Sequence, residues 1–111
     1  MNDGLNIDKD GNKLWYLNNK LHRTDGPAIE YSSGTKRWYI NDKLHRTDGP
    51  AIEHSNGTKY WFINDKLHRT DGPAVEYCNG DGFWYLNGKR LSKKDYIQRT
   101  RKNKLKELLS I

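Results

Sequence analysis

His-Arg-Thr-Asp occurs three times in this chain, at 22–25, 45–48 and 68–71. Those residue types could do chemistry: an imidazole can take a proton, a carboxylate can orient it, and a guanidinium can hold an anion. Their spacing argues for another task. An active site is one asymmetric arrangement, whereas unchanged copies do something that every repeat needs. The expected role is structural: Asp25, Asp48 and Asp71 cap turns, while the His and Arg side chains pack across a neighbouring strand or stack on tryptophan.

Other chemical candidates are weaker. Stacked repeats would align His22, His45 and His68 in a column. Strands lie ~4.8 Å apart, and each repeat supplies two or three, so the imidazoles would be too distant to share one ion. A metal needs three or four converging ligands. Cys78 is the only cysteine and has no dedicated base; the expectation is a buried or half-buried thiol. No glycine-rich phosphate loop is present. The reading is a protein that is not an enzyme and has no cofactor or metal.

The elements that must position these residues are set by internal periodicity. Trp15, Trp38, Trp61 and Trp84 are each 23 residues from the next, and Gly11, Gly34, Gly57 and Gly80 keep the same step. The octapeptide LHRTDGPA recurs three times, carrying Gly26, Gly49, Gly72 and every proline of the chain, Pro27, Pro50 and Pro73. The frame divides into 5–27, 28–50, 51–73 and 74–91, and the fourth copy decays where Arg90 and Leu91 replace Leu-His.

Within one unit, 51–54 alternates apolar and polar as a half-buried strand does. Ser55-Asn56-Gly57 is a turn, and Tyr60-Trp61-Phe62-Ile63 reads as a strand. Asn64-Asp65 turns the chain again, and the equivalent Asn87-Gly88 is a strong two-residue hairpin signal. Lys66 to Arg69 forms a third short strand. Turns this dense exclude helices, so the unit is an antiparallel β-meander. A two-residue turn sets Ile63 opposite Lys66, Phe62 opposite Leu67 and Trp61 opposite His68. Since side chains alternate faces, both faces are partly apolar. The exposed candidates for a binding surface are His22, Arg23, His45, Arg46, His68, Arg69, Tyr39, Phe62 and Tyr85.

These residues resemble the MORN repeat, itself about 23 residues long, through Trp84-Tyr85-Leu86-Asn87-Gly88-Lys89. The H-R-T-D-G-P-A block is similar to a variant found in repeat proteins of bacteriophages and large DNA viruses. The resemblance covers 5–91. It implies antiparallel hairpins stacked into an elongated sheet, with roles in scaffolding, dimerisation and partner binding, and no catalytic residues.

After Leu91 the pattern changes. Ser92 and Asp95 fit a capping box, and Leu91 and Tyr96 fit a hydrophobic staple. A C-terminal α-helix is expected from about Lys93 to Ser110, fraying or kinking near Asn103. Ile97, Leu105, Leu108, Leu109 and Ile111 form a broken apolar stripe. Of the net charge of +6, 92–111 carry +5, including the candidate anion-binding residues Arg99, Arg101, Lys102 and Lys104. The leucines are expected to cap the last repeat, since arrays need capping. Nucleic acid is a second use for the exposed cations.

Only 33% of residues are hydrophobic and 12% are aromatic, which suits a thin sheet rather than a thick core. Residues 1–20 lack a signal-peptide pattern, no apolar run approaches ~20 residues, and one cysteine allows no intrachain disulfide. These features point to the cytoplasm and against membrane insertion. The expected function is a small phage-encoded accessory protein that binds and modulates a host protein, for example by inhibiting a bacterial defence system as an anti-CRISPR does. The alternatives are an anion binder, acting through the repeat arginines and the basic helix on nucleic acid or a nucleotide, and a scaffold that forms homodimers or larger assemblies through an exposed sheet edge.

Overall fold

A computed structural model of the chain describes residues 3–110. Ile111, the last member of the apolar stripe, lies outside them. The described residues form fourteen strands, paired only in antiparallel fashion, and one C-terminal helix. The first unit holds β1 (Gly4–Ile7), β2 (Lys13–Leu17) and β3 (Lys20–Leu21). The second holds β4 (Ile29–Glu30), β5 (Lys36–Arg37), β6 (Tyr39–Ile40) and β7 (Lys43–Leu44). The third repeats that set as β8 (Ile52–Glu53), β9 (Lys59–Tyr60), β10 (Phe62–Ile63) and β11 (Lys66–Leu67). The fourth holds β12 (Val75–Glu76), β13 (Gly82–Leu86) and β14 (Lys89–Leu91), and α1 spans Lys93–Leu109.

The main sheet runs β1-β2-β4-β5-β8-β9-β12-β13-β14, with β3 beside β2. The hairpins β6–β7 and β10–β11 stand apart from it. Their register sets Phe62 opposite Leu67 and Ile63 opposite Lys66, while His68 N–H donates to the Trp61 carbonyl at 3.0 Å. The two-residue turn responsible for this register has left-handed backbone at both positions: φ is 48° at Asn64 and 66° at Asp65. Asn and Asp tolerate that region better than most residues, and two such residues define the turn that matches strand twist.

The expected strand Tyr60-Trp61-Phe62-Ile63 is divided at Trp61. Tyr60 pairs in the main sheet and Phe62 in the separate hairpin. Trp61 spans the break, its N–H donating to Ala74 at 2.8 Å and its carbonyl accepting from His68. Trp38 does the same between Ala51 and His45. Trp38 and Trp61 therefore mark corners where the chain leaves one sheet for another, whereas Trp15 and Trp84 lie inside the unbroken strands β2 and β13.

The core is a thin line along the array. Ala28, Ala51 and Ala74 are fully inaccessible, and Ile29, Ile52 and Val75 beside them are buried. Burying an aliphatic side chain of this size contributes roughly 1.5–3 kcal/mol. The shape follows: the radius of gyration is 16.2 Å, against roughly 13 Å for a compact domain of this length.

Helix α1 runs unbroken through Asn103. Ser92 caps it, its hydroxyl accepting from the Asp95 N–H at 3.1 Å; the reciprocal bond of a capping box does not form. The leucines do not cap the array. Leu105, Leu108 and Leu109 are exposed, whereas Tyr96 is 4% exposed and is the helix's one buried residue. Thr100 is half-buried, and every described residue after it is exposed, the later leucines included. No described helix is long and apolar enough to cross a membrane.

Candidate functional site

The H-R-T-D-G-P block folds around its arginine. Arg46 lays its guanidinium on the indole of Trp38, with Cζ 3.9 Å from the ring centroid; Arg23 on Trp15 and Arg69 on Trp61 sit at 3.8 Å. The other face of the guanidinium rests on the glycine of the block. A Cβ at Gly49 would come within 2.8 Å of Arg46 Cζ, so any larger residue must displace the guanidinium from its place. In the plane of the group, Arg46 Nε donates to Asp48 at 2.8 Å and Nη1 donates to the Pro50 carbonyl at 3.1 Å. Glu53 also lies 3.5 Å from Nη1.

Planarity explains the residue choice. A guanidinium can stack on both faces and donate around its edge at once, which an ammonium cannot do. The expected stacking of Arg on Trp is present. The aspartates behave differently from expectation: Asp25, Asp48 and Asp71 use their carboxylates on Arg Nε rather than capping backbone amides two residues on. Hydrogen bonding from the arginine, then its charge, holds the Asp25 and Asp48 carboxyls below their ordinary range. For Arg69, burial works to lower the pKa, but hydrogen bonds to Asp71 and Glu76 outweigh it and raise it.

Histidine serves the joint between repeats. Nδ1 of His22, His45 and His68 accepts the backbone N–H of Asn41, Asn64 and Asn87 in the next unit, at 3.1, 3.1 and 2.9 Å. An accepting Nδ1 places the ring proton on Nε2. Burial depresses the His68 pKa, which keeps that acceptor available. Asp42 and Asp65 complete the joint, each accepting from a leucine N–H of the preceding unit at 2.7 Å. In the first unit the Asn18 N–H is accepted instead by Asp3, at 2.8 Å. Tyr39, Phe62 and Tyr85 are half-buried and give their carbonyls to the N–H groups of Arg23, Arg46 and Arg69.

Sequence reasoning placed Asp65 in a turn but missed the use of the Asp42 and Asp65 carboxylates at the joint, although their 23-residue spacing marks them. It missed Thr35 and Thr58 in the same way; their hydroxyls accept from Ser55 and Cys78 N–H at 3.2 Å. Tyr96 was legible as part of a staple, but not its larger use. Its hydroxyl donates to the Arg69 carbonyl at 2.5 Å and accepts from the Gly72 N–H at 3.2 Å, fastening α1 to the last block. Cys78 is exposed rather than buried or half-buried. Among the described residues, no three His, Cys, Asp or Glu side chains are grouped to hold a metal.

Between successive blocks lie open clefts. One of about 770 Å³ is lined by residues 46–49 and by Trp61, Ile63 and 68–71; its counterpart one repeat earlier, about 430 Å³, has the equivalent lining from 23–26 to 45–48. Each contains two arginines and the two aspartates that neutralise them. Of the helix cations singled out in the sequence, Arg99 and Lys102 line a third cleft, and Arg101 and Lys104 do not. The chain matches no family model, no curated protein and no solved structure.

Proposed function

We propose that this chain is a non-enzymatic binding scaffold that engages a protein through its row of equivalent clefts. The carrying observation is the full internal commitment of the blocks: the Nδ1 atoms of the histidines, the arginines and the block aspartates all bond within the array. Residues so occupied hold a shape and are poorly placed to react, whereas the clefts they frame recur with one lining. A rigid row of aromatic, aliphatic and polar groups offers a partner contact at little ordering cost. The phage-like character of the block makes a bacterial host protein the partner of choice, with modulation of that protein, including a defence system, as the outcome.

The repeat arginines support an anion-binding role less well, because Asp and Glu already neutralise them. The test uses the tagged full chain and two cleft-filling variants, Thr47→Arg and Thr70→Arg, at exposed positions. Capture from bacterial lysate should retain a protein that both variants release. Retention of the same proteins by the variants, or of none by the parent, overturns the reading.

A further inference from the structure

The third cleft, about 550 Å³, lies between the last block and α1. It differs from the other two in charge. Lys89, Arg99, Lys102 and Lys106 line it together with His68 and Thr70, and no carboxylate does. None of the four cations has an ion-pair partner among the described residues, since every salt bridge there involves Arg23, Arg46 or Arg69. Asp95 lines the adjoining groove with Lys89, Arg99 and Lys102 without pairing to any of them. Four like charges facing one concavity repel each other, and an anion seated between them relieves that repulsion.

We infer that this cleft is a site for a small ligand carrying a chain of phosphates. Arg99, Lys102 and Lys106 stand at i, i+3 and i+7, a row roughly 10 Å long on one side of the helix. That row is longer than a single phosphate, and it suits linked phosphates with several charges in a small volume. Lys89, the first residue of β14, closes the row. With Nδ1 of His68 occupied by Asn87, Nε2–H is the ring's remaining polar atom, a donor like the Thr70 hydroxyl. A nucleic-acid strand fits less well, because no Trp, Tyr or Phe lines the cleft and strands are held largely by base stacking on such rings. The site shares His68 and Thr70 with the neighbouring cleft between blocks, but its four cations line neither of the clefts between blocks, so variants of those cations test it apart from the protein-binding reading.

Calorimetric titration of the full chain with inorganic tripolyphosphate at low ionic strength tests it. The double variant Arg99→Glu, Lys102→Glu should weaken binding by about tenfold or more. Lys94→Glu with Lys104→Glu makes the same change in net charge at positions outside the cleft, and should change affinity by no more than about twofold. Helical circular dichroism and the melting transition establish that each variant is folded. Equal weakening by both pairs would mean diffuse attraction to a cationic helix and would overturn the site. Absence of tripolyphosphate binding, with or without binding of a short single-stranded DNA or an oligoglutamate peptide, would overturn it as well.

Discussion

Trp38 and Trp84 hold equivalent places in the array, yet their indoles are covered by different means. Trp38 lies under the guanidinium of Arg46 from its own unit. Trp84 has Ser92 where that arginine would fall, and it meets Tyr96 at 6.5 Å and the Lys93 ammonium at 5.6 Å, both from α1. The interior solution is charged, local and copied. The terminal solution is a phenol on a helix, and it binds back to the preceding block through Arg69 and Gly72. An array that buries its core only against neighbours needs a different contact after its fourth unit, because the residues that follow β14 are helical and supply no Asn-Asp turn. The opposite end has no such cover among the described residues: Leu5 and Ile7 on β1 are 49% and 62% exposed.

Tyr96→Ala should have the largest effect, about 3 kcal/mol or more, since it removes a buried ring and two hydrogen bonds. Hydrogen exchange should show α1 and 82–91 losing protection while the first two units keep theirs. Uniform loss along the chain, or none, would erase the distinction between cap and interior.

Smaller effects should come from the interior. Arg46→Ala is expected to cost about 2 kcal/mol, discounted for the exposure of Asp48, and Arg46→Lys nearly as much because stacking and fork geometry go together. Gly49→Ala alone should cost about 1 kcal/mol through displacement of the guanidinium, and close to nothing when Arg46 is already alanine. Urea unfolding of the four proteins measures that coupling; strict additivity would mean the glycine serves some other purpose.

The smallest effect separates the two regions by pH. The His68 pKa is lower folded than unfolded, so its contribution is complete above the ordinary value of 6.5 and is lost as pH falls below it. Asp25 and Asp48 are depressed carboxyls, so the stability they carry persists above 3.8 and disappears only as pH drops further. Melting temperature should therefore decline in two stages between about pH 7.5 and about pH 3. His68→Asn, whose side-chain oxygen can accept the same N–H, should remove the first stage. Its persistence would assign that stage elsewhere.

Much of the architecture was legible in particular residues. The tryptophan period and the Asn-Asp turns specify antiparallel hairpins, because φ near 48° and 66° is tolerable to few residue types. Ser92 announces the helix start. The corner at Trp61 was not legible, since a run of four strand formers contains no local reason to break; the break comes from the Ala74 carbonyl of the next unit. Nor could spacing reveal that Asp48 would choose Arg46 over its own turn amides, a choice made by the nearby stacked guanidinium.

By itself the sequence determined the repeat length, the turns, the strand class and the position of the closing helix, because these depend on backbone preferences and on periodicity within a few residues. Tertiary structure alone decided which tryptophan face meets arginine or tyrosine, which cations gather around one cleft, and which leucines remain in water. Those outcomes depend on groups brought together from separate units, and no local preference encodes their distances.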